Sequence, residues 1–164
     1  MTLRIRPTLR TLLMLLLLAP MLGGCRGKDT AMLGIVGYNY TDRYIDRFSV
    51  GGAGGSNIYK STMTSGGGGT TCCIGYDPDR PLPITLPVEW MFGYQLGPDG
   101  EVAVPDEHHK ATAVLDGPVP ADPAYLEVHF MPDGSVQLRI TAVTSPPLIR
   151  INRPGPKPAS VDTL

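Results

Sequence analysis

Apolar and polar side chains alternate with a period of two near the C-terminal end of the chain. Apolar residues occupy every second position of residues 124–130, and they do so again over residues 136–142. Pro132-Asp133-Gly134 lies between the two stretches and has the residue types of a tight turn. A period of two is typical of strands that bury one face. The pattern therefore predicts a β-hairpin, with Glu127 and His129 on its outer face.

Shorter stretches of the same kind recur upstream. The predicted strands are residues 34–40, 44–50, 70–76, 84–94 and 111–115, with a brief pairing at 102–105. Pro87 predicts an edge strand or a bulge for residues 84–94, because proline has no N–H to donate to a ladder. Trp90, in the same apolar strand, is expected in the core. Short strands separated by turns predict an all-β fold, a small antiparallel β-sandwich or barrel.

The N-terminal residues have the features of a secretory signal. Three arginines precede an apolar run at residues 11–21, which is shorter than the roughly 20 residues of a membrane-spanning helix. The sequence Leu22-Gly23-Gly24-Cys25 resembles the lipobox of bacterial lipoproteins, in which the cysteine carries the lipid. In Gram-negative lipoproteins an aspartate after that cysteine marks inner-membrane retention. Arg26 stands there instead, so we expect an anchor in the outer membrane, with the protein facing the periplasm.

These features divide the chain into four parts. We predict a signal peptide at 1–24, a lipidated tether at 25–31, one β domain at 32–151 and a proline-rich tail at 152–164 that is extended or disordered. The chain has 14 basic and 15 acidic residues, and three of the basic ones lie in the signal, so the mature net charge is −4. An acidic chain of this kind argues against a nucleic-acid partner.

Cys72 and Cys73 are adjacent in a predicted strand, and three states are considered for them. Two reduced, partly buried cysteines fit the usual burial of free cysteine. A vicinal disulfide fits the oxidising periplasm. A metal site is disfavoured, because no second cysteine pair or His-x-x-x-His sequence lies at the usual spacing. The first two alternatives remain open.

Residues 51–69 include eight glycines. A dinucleotide-binding glycine motif needs a helix after it, so that the helix N-terminus faces phosphate. No helical pattern follows here, and no nucleotide or other cofactor is expected. The stretch predicts a mobile loop or a weakly paired edge.

Two polar groups are candidates for catalysis or metal binding. The segment Asp106–Lys110 reads DEHHK, but adjacent side chains of an extended chain point apart, so a solvated loop is favoured over a zinc site. His129 could act as a base, but the sequence shows no convincing nucleophile for it. We therefore assign no catalytic residue and no metal ligand. An enzyme or metal-binding protein using His108, His109 or His129 is the least favoured hypothesis.

Tyrosines and charged residues crowd the first predicted hairpin. Tyrosine and arginine are favoured at protein interfaces, where they supply area and hydrogen bonds at low entropic cost. This composition predicts a protein-binding surface, although part of the tyrosines is expected in the core. The candidate contact residues are Tyr38, Asn39, Tyr40, Asp42, Arg43 and Tyr44.

Five segments together resemble an uncharacterised family of short proteobacterial lipoproteins, grouped as a domain of unknown function. The segments are GYNYTDRYI, GGAGGSN, CC, LPVEW and YLEVHFMPDG. Genes of that family often lie near type VI secretion clusters and phospholipase-type toxins. The resemblance implies a periplasm-facing immunity protein against a lipase effector, and it carries over no catalytic residue. The alternative is a structural or assembly lipoprotein of the cell envelope or secretion apparatus.

Overall fold

The computed structural model describes residues 30–153, which form ten β-strands and no helix. The strands are β1 (Ala31–Asn39), β2 (Ile45–Val50), β3 (Ala53–Gly55), β4 (Gly67–Tyr76), β5 (Ile84–Phe92), β6 (Gln95–Leu96), β7 (Val102–Val104), β8 (Glu107–Leu115), β9 (Tyr125–Phe130) and β10 (Val136–Thr141). Within this range no helix is long and apolar enough to cross a membrane. The predicted signal peptide, Cys25 and residues 154–164 lie outside the described residues.

The strands form two four-stranded sheets and a short ribbon. Sheet A has the order β10-β9-β1-β4, sheet B has the order β3-β2-β5-β8, and β6 pairs with β7. The prediction of an all-β, sandwich-like fold is confirmed, and the sheets do not close into a barrel. One pairing differs from the expected antiparallel arrangement, because β1 and β9 run parallel from Gly34↔Tyr125 to Asn39↔Phe130. Side chains alternate in both kinds of pair, so the period of two cannot distinguish them.

The core lies between the two sheets. Phe130 of sheet A meets Phe48 and Trp90 of sheet B edge to face, with ring centroids 5.4 and 5.3 Å apart. Trp90 is buried, as predicted. The C-terminal hairpin also forms as predicted, with Leu126, Val128 and Phe130 in the core. Edge-to-face aromatic packing of this kind stabilises the contact beyond its buried area.

The two ends of the sandwich carry different loops. Strand β1 starts at Ala31, which lies opposite Tyr76 at the end of β4. We call this end of the sandwich the N-terminal end. At the other end, called the distal end, Asn39 precedes the turn into β2, and the β6–β7 hairpin follows β5. A nine-residue strand such as β1 separates the two ends by about 30 Å.

Pro87 does not lie on an edge strand or at a bulge of its own, so that prediction is wrong. Strand β5 is interior, between β2 and β8, and Pro87 lies opposite Thr112 in a regular register. The Pro87 carbonyl accepts a hydrogen bond from Gly51 N–H at 2.8 Å, just beyond the last β2–β5 pair, Val50↔Val88. In an antiparallel ladder the N–H and C=O of one residue point to the same side. The side on which Pro87 has no N–H therefore faces the point where β2 turns away from β5.

The glycine-rich residues lie at sheet edges, which was one of the two predicted alternatives. Strand β3 is the edge of sheet B and β4 is the edge of sheet A. Gly67 has a φ of 92°, and a Cβ there would lie 1.8 Å from the carbonyl oxygen of Tyr59. Glycine is therefore required at this position, both by the backbone conformation and by the close approach of the preceding loop.

The chain after β10 crosses the outer face of sheet A. Residues 144–153, called the C-terminal strap, have no regular secondary structure. Ile149 and Ile151 of the strap pack against Tyr38 and Tyr40. Strand β1 is thus covered on both faces, by sheet B on one side and by the strap on the other.

Candidate functional site

Three of the six predicted contact residues are buried, so the prediction that they form a binding surface is wrong for them. Tyr38, Asn39 and Tyr40 are 3%, 0% and 1% exposed. The tyrosines face the C-terminal strap, and Asn39 faces the loop that contains Ile58. Local sequence composition could not reveal the burial of the tyrosines, because the strap that covers them is more than 100 residues away in the chain.

The two buried tyrosines belong to a hydrogen-bonded group with Glu127 and His129. The Tyr38 hydroxyl lies 3.3 Å from Glu127 Oε1, and the Tyr40 hydroxyl lies 3.1 Å from His129 Nδ1. His129 Nε2 lies 3.3 Å from Glu127 Oε2. The Tyr38 and His129 rings stack with centroids 4.4 Å apart. We call these four residues the sheet A polar cluster.

The C-terminal strap closes the sheet A polar cluster with its own backbone. Ser145 N–H donates to Glu127 Oε1 at 2.6 Å, and the Ser145 carbonyl accepts from the Tyr38 hydroxyl at 2.7 Å. Leu148 N–H donates to the Tyr40 hydroxyl at 2.8 Å. Buried polar groups are tolerated when they are hydrogen-bonded in this way. The geometry indicates that the cluster holds the strap on the sheet.

The electrostatics of the cluster agree with this structural role. Burial and the nearby Glu127 carboxylate raise the pKa of Tyr38 far above its ordinary value, so its hydroxyl remains a donor. Burial by itself would raise the pKa of Glu127, but the hydrogen bonds from His129 and Ser145 outweigh burial and lower it. Glu127 and His129 are both 0% exposed. As a general base, His129 would need a substrate proton within reach, and this position gives a substrate no path.

Asn39 and Arg43 organise the turn between β1 and β2. The Asn39 side chain accepts from Thr41 N–H at 3.0 Å and donates to the Arg43 carbonyl at 2.7 Å. The Arg43 guanidinium pairs with Glu107 and donates to the carbonyls that flank the β6–β7 hairpin, Gly93 and Pro105. Both side chains are therefore occupied in holding the distal loops together.

The remaining predicted residues, Asp42 and Tyr44, are at the surface of the distal end. Asp42 is exposed and Tyr44 is half-buried. The Tyr44 ring contacts the Tyr59 ring, with centroids 5.3 Å apart, and its hydroxyl accepts from Asn57 Nδ2 at 2.9 Å. Of the six predicted contact residues, Tyr44 is the one that lines the open pocket described next.

That open site is a concave surface of about 460 Å³ beside the β6–β7 hairpin, called the distal pocket. It combines aromatic and aliphatic side chains with two carboxylates. The lining residues are Tyr44, Asp46, Met91, Gly93, Tyr94, Leu96 and Asp106. Tyr94 and Leu96 are each 58% exposed. The sequence feature that indicates this region is the turn Gly97-Pro98-Asp99-Gly100, which is typical of a hairpin. The turn does not show which part of the sandwich the hairpin packs against.

The DEHHK segment is not a loop, so that prediction is wrong. Its residues from Glu107 onward form the start of β8. His108 is exposed, and His109 stacks on Trp90 on the other face with centroids 5.1 Å apart. The adjacent histidines therefore point apart, as expected of an extended chain. Residues 30–153 contain no group of three His, Cys, Asp or Glu side chains that could hold a metal ion.

Cys72 and Cys73 are joined by a disulfide in β4. The structure thus has the second of the alternatives that the sequence left open. Cys72 is exposed and Cys73 is half-buried.

A smaller apolar cavity opens at the N-terminal end. It has a volume of about 120 Å³ and enters the core between Leu33 and Leu126 of sheet A and Ile84 and Leu115 of sheet B. Arg80 also lines it. Cavities of this size hold at most a benzene-sized apolar group.

The fold and the distal pocket define an all-β, sandwich-like protein with an exposed aromatic and acidic concavity. The chain belongs to the family described as Protein of unknown function (DUF3304), whose model matches residues 38–138. The resemblance to a family of unknown function is confirmed at that level. No curated protein and no solved structure matches the chain.

Proposed function

We propose that the protein is a periplasm-facing outer-membrane lipoprotein that binds and neutralises a protein toxin, a lipase effector of type VI secretion, without being an enzyme. The observation that carries the proposal is the exposed aromatic surface of the distal end. The resemblance drawn from the sequence supplies the class of toxin. The predicted lipid on Cys25 supplies the location.

The exposed side chains of the distal end are ones that folding alone does not explain. Tyr59, Tyr94 and Leu96 are large and at least half exposed, and Met63 of the loop before β4 and Val102 of β7 are also exposed. Large aromatic side chains presented on a stable scaffold are the usual anchors of protein interfaces. An exposed apolar patch of this kind is typical of an interaction site.

The path of the chain gives this surface a direction. The N-terminal segment enters at Ala31, and the distal pocket lies at the opposite end of the sandwich. A lipid on Cys25 would therefore hold the N-terminal end towards the membrane and present the distal pocket to the periplasm. A toxin acting in the periplasm would meet that end first.

A binding role requires no catalytic group. His129, the buried histidine with a carboxylate partner in its own strand, lies inside the sheet A polar cluster beneath the C-terminal strap. The exposed surface instead offers tyrosine rings and a methionine, residue types that are enriched at protein interfaces.

The test is capture of the partner from the envelope. The full chain, tagged after Leu164, would be isolated from detergent-solubilised envelopes of its host and compared with a Tyr94→Ala, Leu96→Ala variant. We expect a stoichiometric secreted lipase with the native chain, loss of that lipase with the variant, and protection of cells that co-express both proteins. The matched control is Val114→Ala, which removes an exposed apolar side chain from β8, far from the pocket.

Other outcomes would count against the proposal. Recovery of envelope or secretion components alone would reject toxin binding and favour an assembly lipoprotein. Capture of a lipase without protection would reject neutralisation. Equal capture by the native chain and the double variant would reject the distal surface as the binding site.

The lipid anchor has its own test. We expect Cys25→Ser to abolish labelling by radioactive palmitate and to move the protein from the membrane to the soluble fraction, because a multiply acylated residue supplies the anchor. Persistent labelling of the variant would contradict lipidation at Cys25.

A further inference from the structure

We propose that the distal pocket binds a cationic side chain, an arginine or a lysine that the protein partner inserts between Tyr44 and Tyr94. The inference rests on the proposed protein-binding function and names the chemistry that the partner must present. It follows from the shape, the residue types and the charge of the pocket.

The pocket has an apolar base and an acidic margin. Met91 and Gly93 are buried, whereas Tyr94, Leu96 and Asp106 are exposed. A Cβ at Gly93 would lie 2.9 Å from the Tyr44 ring, so this ring lies directly against the backbone. The base of the pocket can therefore receive an aliphatic stem, such as the methylene groups of arginine or lysine.

The charge of the pocket selects the end group of the inserted side chain. Its lining residues include two carboxylates, Asp46 and Asp106, and no basic side chain. The faces of tyrosine rings attract cations, and carboxylates form strong charge-assisted hydrogen bonds with them. A side chain with an apolar stem and a positive end satisfies both parts of the pocket. A neutral or anionic one does not.

One of the two carboxylates is held in place before any partner binds. Asp106 Oδ1 accepts a hydrogen bond from Tyr94 N–H at 2.7 Å. This bond links the β6–β7 hairpin to the residue that precedes β8. Because the carboxylate is already oriented, binding loses less conformational entropy at this position.

The same chain holds one of its own arginines by this combination of groups. The Arg43 guanidinium lies 5.0 Å from the centroid of the Phe92 ring and pairs with the Glu107 carboxylate. A ring and a carboxylate thus already hold a guanidinium within the distal end. The distal pocket offers two rings and two carboxylates to a side chain from outside.

Two arginines lie beside the pocket. Arg43 donates to the carbonyl of Gly93, and its charge is paired with Glu107. Arg47 lies against the base of the pocket. Its Nη2 lies 3.4 Å from Met91 Sδ. A positive charge at this distance from the base of the pocket should weaken the binding of a second cation. It therefore provides a variant whose expected effect has the opposite sign to that of the aspartates.

The test uses N-acetyl-L-arginine amide as the probe and N-acetyl-L-citrulline amide as its neutral isostere. Both would be titrated into the full chain in detergent micelles, and backbone amide shifts would be followed by NMR. We expect saturable shifts at Tyr44, Gly93, Tyr94 and Asp106 with the arginine probe, and at least about tenfold weaker binding of citrulline. Equal binding of the two probes, or shifts located elsewhere, would overturn the proposal.

Charge variants sharpen the test. We expect Asp46→Asn combined with Asp106→Asn to weaken arginine binding by about tenfold, and Arg47→Gln to strengthen it by a few fold. The matched control is Asp99→Asn, an exposed aspartate of the same hairpin whose Oδ1 accepts from Glu101 N–H. This control should bind as the native chain does. Unchanged affinity in the aspartate pair and in Arg47→Gln would overturn a charge-selective pocket.

The two proposals can fail separately. If a lipase is captured equally well by the native chain and by the aspartate pair, the cationic side chain is rejected while toxin binding stands. If the arginine probe binds as expected but no toxin is captured, the pocket chemistry stands and the proposed function is rejected.

Discussion

Two tyrosine-bearing regions of this protein have opposite environments, although Tyr40 of one and Tyr44 of the other are only four residues apart. In the sheet A polar cluster, Tyr38 and Tyr40 are buried and hydrogen-bonded beneath the C-terminal strap. At the distal pocket, Tyr44 and Tyr94 line an open concavity with two aspartates. Both regions combine tyrosines with carboxylates, so composition does not distinguish them. The difference is that one region has a cover and the other has none.

The contrast separates polar groups that stabilise the fold from groups that remain available for a partner. Every member of the sheet A polar cluster has a hydrogen-bond partner within the chain. Removing one of them leaves another buried without a partner, which is costly. The exposed side chains of the distal pocket, Tyr94, Leu96 and Asp106, have no comparable burial, so their loss should affect binding and leave the fold unchanged.

The largest expected effect is that of Glu127→Ala. This substitution removes the acceptor for Ser145 N–H and the partner of the Tyr38 hydroxyl and His129. We expect a loss of about 3–5 kcal/mol in the free energy of unfolding, measured in urea, because a buried charged partner is removed. Glu89→Ala is the control, since Glu89 pairs with Lys110 at the surface. A loss in Glu127→Ala no larger than in this control would contradict the structural role of the cluster.

A smaller loss is expected for Tyr40→Phe. The substitution keeps the ring but removes the hydroxyl that accepts from Leu148 N–H and meets His129 Nδ1. We expect a loss of about 1–2 kcal/mol, with faster amide exchange at Leu148. Tyr94→Phe removes the hydroxyl of an exposed ring instead and should change neither quantity. Unchanged exchange at Leu148 in Tyr40→Phe would show that the hydroxyl does not hold the strap.

Acid should weaken the same region. The pKa of Glu127 in the folded protein is below its ordinary value of 4.5, because hydrogen bonds from His129 and Ser145 outweigh burial. A lowered folded-state pKa stabilises the protein fully above the ordinary value, and this contribution is lost as the pH falls through the folded-state pKa. We therefore expect the contribution of Glu127 to the free energy of unfolding to be lost below pH 4.5. This loss should be smaller than the losses caused by Glu127→Ala and by Tyr40→Phe.

Glu127→Gln tests this acid dependence, because the glutamine does not titrate. Its unfolding free energy should fall less steeply between pH 4.5 and pH 2 than that of the native chain. The comparison variant is Asp133→Asn. Asp133 is exposed, and hydrogen bonds from Ser135 lower its pKa. Parallel curves for the native chain and Glu127→Gln would exclude Glu127 as the source.

The smallest effect on stability is expected for Tyr94→Ala. Because the ring is largely exposed, the free energy of unfolding should change by no more than about 0.5 kcal/mol. Capture of the partner should nevertheless be lost. A destabilisation comparable to that of Tyr40→Phe would remove the distinction between the two regions.

The sequence by itself determined the type of fold and much of its strand content. The period of two over residues 124–130 and 136–142 predicted the hairpin that the structure contains, and its inner face lies in the core. The apolar stretch around Trp90 predicted a buried strand, and β5 is that strand. Such patterns are readable because the alternation of side chains is a local property of the backbone.

The tertiary structure alone decided which polar residues are open to a partner. Tyr38 became buried because residues 145–151 cross it, and Pro87 lies inside a sheet because β2 turns away beside it. Tyr94 and Asp106 came together because the β6–β7 hairpin returns to β8. These contacts join residues that are distant in the chain or depend on how a strand ends, and a local pattern does not contain that information.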